Sequence, residues 1–417
     1  MNAAPLRIAL FTHSVNPRGG VVHTLELARA LGRAGHDVMV VAPAGPGERL
    51  FRDGGAAAAT ASRDRFDMDG YRVVLARTGA TPADTAGMVE ARIAAIRRAF
   101  DRAALARFDV LHAQDSISGN ALADWKAERA IAGFARTVHH LDTFANPRLE
   151  AWQRRAWREA DRVLCVSADW AARMRDAHGV AARQVANGVD IERFAHAPAA
   201  GIEAVRQRFG LRANGATVLA IGGIEARKNT RALLDAFAQL RRAKPHAQLV
   251  IAGGASLLDH DAYTRDFLAR AAELGLAVGV GGAVVITGPL DDVALVALLH
   301  AADAVSMVSL REGFGLVVLE ALAGGKPVAV SRIAPFTEHL DARTAIWADP
   351  GSIDSIAQAL HDALDGRRAP DFRDAVPALL ARFSWAASAT SHAAIYREWL
   401  GARTAAEAVS LTTEQES

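Results

Sequence analysis

The residues able to do chemistry here are two neighbouring cations, two spaced carboxylates and a histidine: Arg227, Lys228, Glu312, Glu320 and His139. Arg227 and Lys228 stand in I-E-A-R-K-N-T, between the apolar run Val218–Gly223 and a helix expected over Arg231–Ala243. Two cations after a first strand suit a diphosphate, because each adds a charge-assisted bond. As merely solvated residues they would oppose the dipole of the helix start. Glu312 and Glu320 belong to S-L-R-E-G-F-G-L-V-V-L-E-A-L-A-G-G-K-P-V-A-V-S, residues 309–331. Gly313 and Gly315 around Phe314 let a backbone approach a ligand closely. A helix is expected from near Gly315 to Gly324 and Gly325, with a strand opening after Pro327. Glu312 then lies just outside a helix N-terminus, where unpaired N–H groups and the positive dipole end favour an anion. Leu316, Val317, Val318, Leu319, Ala321 and Leu322 are apolar on every side, which predicts a buried helix with Glu320 inside it. An interior carboxylate needs a specific partner. The set points to a ligand with phosphate, sugar and hydroxyls; a structural Glu320 capped by backbone is the plainer alternative.

These groups need a parallel-sheet frame to hold them. Arg7–Thr12, a glycine loop over 13–20, a helix from Val21 to about Arg33 and the strand Asp37–Ala42 form a Rossmann-like start. The dinucleotide fingerprint G-x-G-x-x-G is missing, and Ala42 and Pro43 stand where an acid would take a ribose hydroxyl. That weighs against an NAD enzyme. Strands follow at Tyr71–Ala76, Asp109–His112, Ala135–Val138 and Arg162–Ser167, with helices at Met88–Phe108, Ala121–Ala132 and Ala168–His178, the last capped by Ser167. His139 and His140 end a strand at the carboxyl edge of such a sheet, where ligands bind; His13 and His112 are weaker acceptor-side candidates for which a structural role is the plainer reading. Asp67 and Asp69 form a D-x-D, which turn chemistry explains without a metal. Ala151–Ala160 is a basic helix whose two tryptophans read as core anchors. Ala195–Gly201 is the expected linker. A second strand and helix series then runs through Val218–Gly223, Gln248–Gly254, Val284–Gly288, Pro289–His300, Ser355–Leu364 and Phe383–Leu400. The tail from Ala405 is polar and expected to be disordered.

The stretch E-G-F-G-L-x-x-L-E-A-x-A-x-G-x-P-V, residues 312–328, resembles the two-glutamate signature of the retaining glycosyltransferases of family 4, which have the GT-B fold. The resemblance implies two Rossmann-like α/β domains facing across a central cleft that holds a nucleotide sugar. Residues 1–197 would form the acceptor domain together with a crossing helix at 384–401. Residues 198–383 would form the donor domain, and 402–417 a disordered tail. By the same resemblance Glu312 faces the donor sugar and Glu320 the ribose, while the main-chain N–H groups of Phe314, Gly315 and Leu316 hold the diphosphate. Gly19 and Gly20 correspond to the family's Gly-Gly pair beside that diphosphate. T-V-H-H-L-D is similar to the family's T-V-H-D, so His139 matches the histidine at the reacting centre and His140 replaces Asp. Lys228 matches the family lysine; Gly223 stands where the arginine belongs, and Arg227 is the substitute cation. Gln184–Asp190 is similar to P-N-G-V-D, with Ala186 for Pro. The implied activity moves a sugar from a UDP- or GDP-linked donor to an unidentified hydroxyl acceptor with retention, no metal and no cofactor. A sugar-nucleotide epimerase, a phosphorylase and a non-catalytic nucleotide-sugar binder are the alternatives.

Composition adds bounds. A chain of 417 residues predicts two domains. Its apolar fraction of 51% and charged fraction of 23% are those of an ordinary globular protein. Residues 1–200 hold 27 Lys and Arg against 22 Asp and Glu, and the remainder holds 21 against 24. Such a small imbalance gives no nucleic-acid partner and leaves open only a weak peripheral contact with a membrane. One cysteine, Cys165, allows no internal disulfide and fits a reducing, cytoplasmic compartment as a small core residue. No signal peptide is visible at the start, and Leu274–Gly288 is too short and glycine-rich to span a bilayer.

Overall fold

The computed structural model describes residues 4–52, 64–80, 82, 84–253, 261–366 and 369–415. The chain divides into two compact units, one of residues 1–188 with 385–417 and one of residues 189–384.

The first unit carries β1 (Arg7–Phe11), β2 (Asp37–Ala44), β3 (Arg65–Met68), β4 (Tyr71–Arg77), β5 (Val110–Ala113), β6 (Ala135–Val138), β7 (Arg162–Cys165) and β8 (Arg183–Gln184). Their spatial order is β3-β4-β2-β1-β5-β6-β7-β8. All neighbours pair in parallel except β3 with β4. The central strands are buried on both faces, so they read as unbroken apolar runs such as I-A-L-F in β1. The register sets Ile8 opposite both Val38 and Val110, which makes β1 the hub. Chain order reverses between β1 and β5, so their carboxyl ends, at Thr12–His13 and Gln114–Asp115, form the switch point where such sheets bind ligands.

The second unit repeats the plan with β9 (Thr217–Ile221), β10 (Gln248–Ala252), β11 (Val284–Gly288), β12 (Ala304–Met307), β13 (Val328–Ser331) and β14 (Ile346–Ala348). The order is β11-β10-β9-β12-β13-β14, all parallel. Its switch point lies between β9 and β12, which places Gly222–Lys228 beside Val308–Glu312. Helices Thr230–Ala243 and Ile353–Leu364 bury Phe237, Leu234, Ile356 and Leu360 against one face of this sheet.

Several element boundaries differ from the sequence expectations, each for a local reason. The first helix starts at Gly19 rather than Val21. The expected helix Met88–Phe108 is two, Thr85–Arg98 and Arg102–Leu105, because Asp101 accepts a bond from the Ala104 N–H and starts a new turn. The helix placed at Ala121–Ala132 is Ser116–Ala127, fixed by a capping box in which Asp115 and Ser118 exchange bonds. Only residues 196–198 of the expected linker lie between helices Ile191–Ala195 and Ala199–Phe209, and the units divide at Gly188/Val189 instead. A further helix, Ala369–Arg382, had no counterpart in the reading. The last helix runs Trp385–Gln415, through most of the segment expected to be a disordered tail. No helix among the described residues is long and apolar enough to cross a membrane.

Candidate functional site

A cluster of charge around a buried carboxylate sits at the switch point of the second unit. Glu312 is 9% exposed, yet it is ionised and bonded from several sides. Its Oε1 accepts from Lys228 Nζ at 2.5 Å and from Ser309 Oγ at 2.8 Å. Arg227 Nη1 lies 3.3 Å from its Oε2, and Arg227 also reaches Glu225 at 3.3 Å. Burial alone would raise the Glu312 pKa; Lys228 and Arg227 outweigh it and hold the carboxyl at about 2, against an ordinary 4.5. The backbone brings the two loops together, for Leu310 N–H donates to the Arg227 carbonyl at 2.9 Å. Gly222 has φ +138°, and a Cβ there would come 3.2 Å from Lys228 Cε, so the glycine clears room for the lysine stem. Arg227 thus stands beside Lys228 at Glu312, although Gly223 is no cation.

The signature helix is Leu316–Ala323, with Gly315 at its N-cap in a left-handed conformation and no side-chain cap. Its first N–H groups therefore point outward without a side-chain acceptor, as an anion site requires. Gly315 is demanded twice, by φ +85° and by Phe336, whose Cε1 would sit 2.2 Å from an added Cβ. Phe314 is buried, with its ring stacked on His339 at 5.0 Å between centroids. The helix corrects one expectation: it is not buried all round. Leu316, Val317, Glu320 and Ala323 share a half-exposed face, while Val318, Leu319, Ala321 and Leu322 pack inward. Glu320 is therefore no interior carboxylate. It lies about one turn from the helix start on the half-buried face, while the opposite face packs inward.

In the first unit, His139 follows β6 as expected, and it meets the start of the first helix: a Cβ on Gly20 would lie 3.7 Å from His139 Cδ2. Gly19 opens that helix, which also lacks a side-chain cap at its N-terminus. His139 Nε2 pairs with Gln114 Oε1 at 3.2 Å, and the ring stands edge-on to His23 at 4.6 Å. Burial, with His23 and Arg136 nearby, pushes the His139 pKa well below the usual histidine range, so the ring is neutral at pH 7. His140 turns to Asp142 at 3.4 Å. His112 is fully buried between Tyr396 and Thr137, at 2.6 and 2.8 Å, and His13 lies 3.7 Å from Asp115. Both are engaged with neighbouring side chains of the first unit.

The remaining candidates fall to structural roles. Asp69 takes Arg29 and Arg33, at 3.0 and 2.7 Å, beside its turn. Cys165 is buried in β7, and burial pushes its thiol up to about 12, so it is not a thiolate. Trp157 anchors helix Pro147–Arg158 in the core, whereas Trp152 is half-exposed under Arg148. A cavity of about 570 Å³ in the second unit is lined by Leu322, Ile346, Phe372 and Leu380, at the amino ends of β13 and β14. It is largely apolar and lies away from the charged switch point.

Sequence reasoning missed Ser309, Ser331, Gln114, His23 and Asn187. Ser309 and Glu312 did carry a signal, because S-x-x-E reads as a capping box. Here the serine hydroxyl bonds the glutamate side chain itself. Asn187 sits in the A-N-G-V-D turn, and its Oδ1 meets His23 Nδ1 at 2.8 Å across 164 residues, a pairing no local pattern announces.

Two family models match this chain, one described as "Glycosyltransferase Family 4" over residues 17–193 and one as "Glycosyl transferases group 1" over residues 201–375. The fold is GT-B, and the chain belongs to glycosyltransferase family 4. It is similar to a glycogen synthase of Mycobacterium tuberculosis, 30% identical over 247 residues that cover 57% of this chain and 54% of the relative. It is also similar to a D-inositol 3-phosphate glycosyltransferase of Salinispora arenicola, 31% identical over 61% of this chain and 60% of that one. The matches thus span little more than half the length of these curated relatives. Among solved structures, Anabaena HepE in complex with UDP-glucose is 20% identical, with a TM-score of 0.72 over 94% of this chain and all of HepE. Sucrose-phosphate synthase from Thermosynechococcus elongatus is 21% identical, with a TM-score of 0.72 over 95% of this chain and all of that one.

Proposed function

We propose that this protein is a retaining glycosyltransferase that moves a sugar from a UDP- or GDP-linked donor to a hydroxyl acceptor without a metal ion. The observation that carries this reading is the cluster of Lys228, Arg227 and Glu312 at the switch point of the second sheet, next to the uncapped helix Leu316–Ala323. Lys228, Arg227 and the N–H groups of Phe314, Gly315 and Leu316 bind the diphosphate. They also stabilise the charge that grows on it as the sugar–phosphate bond breaks, which is the work of positioned donors and cations. Gly19 and Gly20, at an uncapped helix start of the first unit, offer further N–H groups to a phosphate. Glu312 orients the donor sugar, and Glu320, half-exposed one turn along the helix, binds the ribose hydroxyls. His139, kept neutral, contributes a hydrogen bond at the reacting sugar rather than a charge. In the reaction the sugar carbon loses its bond to phosphate oxygen and gains one to the acceptor oxygen on the same face. The acceptor proton passes to the leaving phosphate, so no protein carboxylate is needed as a nucleophile.

The glycogen and inositol 3-phosphate in the relatives' names support an acceptor rich in hydroxyls, and HepE's complex supports UDP-glucose as the first donor to test. The reading also places the protein in the cytoplasm, at most touching a membrane through the arginines of helix Pro147–Arg158. Mass spectrometry of the chain with a donor panel and simple acceptors tests transfer. Calorimetry of UDP and GDP with a chelator present tests metal independence. Binding expected in the chelator and absent, or seen only with magnesium, overturns the diphosphate assignment.

A further inference from the structure

The two oxygens of Glu312 meet donors of different kinds. Lys228 and Arg227 are cations, at 2.5 and 3.3 Å; Ser309 brings a neutral hydroxyl, at 2.8 Å. The proposed function needs both cations at a diphosphate, which carries more negative charge than one carboxylate and draws them toward itself. A neutral hydroxyl has no such reason to leave. Ser309 is also fixed in place. It is fully buried, and its carbonyl accepts a 2.7 Å bond from Ser331 Oγ on β13, so the chain leaving β12 is tied to the neighbouring strand. Met307 Sδ lies 3.4 Å from the same hydroxyl and 3.7 Å from Lys228 Nζ, closing the apolar side of the group.

We infer that Ser309 is a positioning residue that keeps Glu312 oriented and ionised while the donor diphosphate occupies Lys228 and Arg227. Ser331 supports it by holding its backbone. The inference rests on the glycosyltransferase reading and adds to it a residue that acts through Glu312 in the occupied site. Among the described residues, Lys228 and Arg227 face Glu312 with charge, and Glu225 pairs with Arg227. In the free protein both cations already hold the carboxyl low, so losing the hydroxyl matters little there. In the occupied protein their pull is divided with the phosphates, and losing the hydroxyl lets the Glu312 pKa rise.

The test is Ser309→Ala, with Ser309→Thr as the variant that keeps the hydroxyl, assayed with UDP- and GDP-sugars from pH 3 to 8. Ser309→Ala is expected to lower kcat roughly ten- to hundredfold, the scale of one hydrogen bond to a charged group, with donor KM nearly unchanged. The acid limb of kcat should move up by about one pH unit or more, while that of kcat/KM, which reports the free protein, moves less. Ser309→Thr should recover most of both. A purely structural serine would lower stability without moving the acid limb. Parent-like kcat and pH profile in Ser309→Ala overturn the inference, as does lost donor affinity with kcat intact. If Ser309→Ala does not fold, Ser331→Ala must shift the same acid limb in the same direction, and an unmoved limb overturns the inference. If the parent protein neither binds nor turns over any nucleotide sugar, the glycosyltransferase reading falls and the inference with it; a parent that turns over isolates the Ser309 result.

Discussion

Replacing Lys228 by Met separates what the charged cluster does for folding from what it does for the donor. The substitution keeps the stem and removes the ammonium, which leaves Glu312 buried at 9% exposure with Arg227 and Ser309. A carboxyl held at about 2 against an ordinary 4.5 corresponds to about 3 kcal/mol of folding stability at neutral pH. That agrees with the lower end of the roughly 3–5 kcal/mol lost when one partner of a buried pair is removed. The lower end applies because Arg227 remains. The sign follows from the depressed folded pKa: this stability is present above the unfolded pKa and is lost as pH falls from about 5 through 2. Lys228→Met should therefore lower the melting temperature of the unit 189–384 by about 6–12 °C at pH 7. Its stability should also fall less steeply than the parent's as the medium is acidified. The double variant Lys228→Met/Glu312→Gln should regain most of the melting temperature, because the uncompensated charge is gone and an amide oxygen can still accept from Ser309. It should not regain donor affinity. Calorimetric scans at pH 7 and at pH 3.5, with nucleotide titrations on the same samples, read both effects. A single variant as stable as the parent refutes the ion-pair reasoning, and a double variant no more stable than the single refutes the buried-charge explanation.

Two further outcomes follow from the same geometry. His139→Ala should lose roughly 10²-fold or more in turnover, the scale of one well-placed polar group, with nucleotide affinity nearly unchanged. His140→Ala, whose ring faces Asp142, is its control, and an inactive His140 variant beside an active His139 variant would reverse the assignment. Glu320→Gln should weaken donor binding while leaving the melting temperature within a degree or two, since the amide keeps the size of a side chain that is not fully buried; a stable variant with unchanged affinity removes Glu320 from the site.

Much of the frame was legible locally. The runs R-I-A-L-F and V-L-A-I announce buried parallel strands, because a strand covered on both faces has no polar side to alternate. The E-G-F-G stretch announced a glycine-started helix, and the structure supplies the reason in the left-handed Gly315 pressed against Phe336. Where reading failed, competing local chemistry won. Asp115 and Ser118 moved a helix start by a capping box, and Asp101 split a periodic stretch in two.

The amino-acid sequence by itself determined the types and spacing of the chemical groups, the two parallel-sheet units and the carboxyl-edge location of His139, Lys228 and Glu312. Those follow from periodicity and from the fixed handedness of strand–helix–strand connections, which send every such loop to the same edge. Only the tertiary structure decided which groups meet. Arg227 and Lys228 are more than 80 residues from Glu312 along the chain, yet they neutralise it in contact. His23 finds Asn187 across 164 positions, and Ser331 holds the carbonyl of Ser309 from the next strand. It decided, too, that Glu320 lies on a half-buried face although its helix is apolar around its circumference. Burial is a property of what packs against a residue, and a helical pattern cannot show which of its apolar faces a sheet will cover.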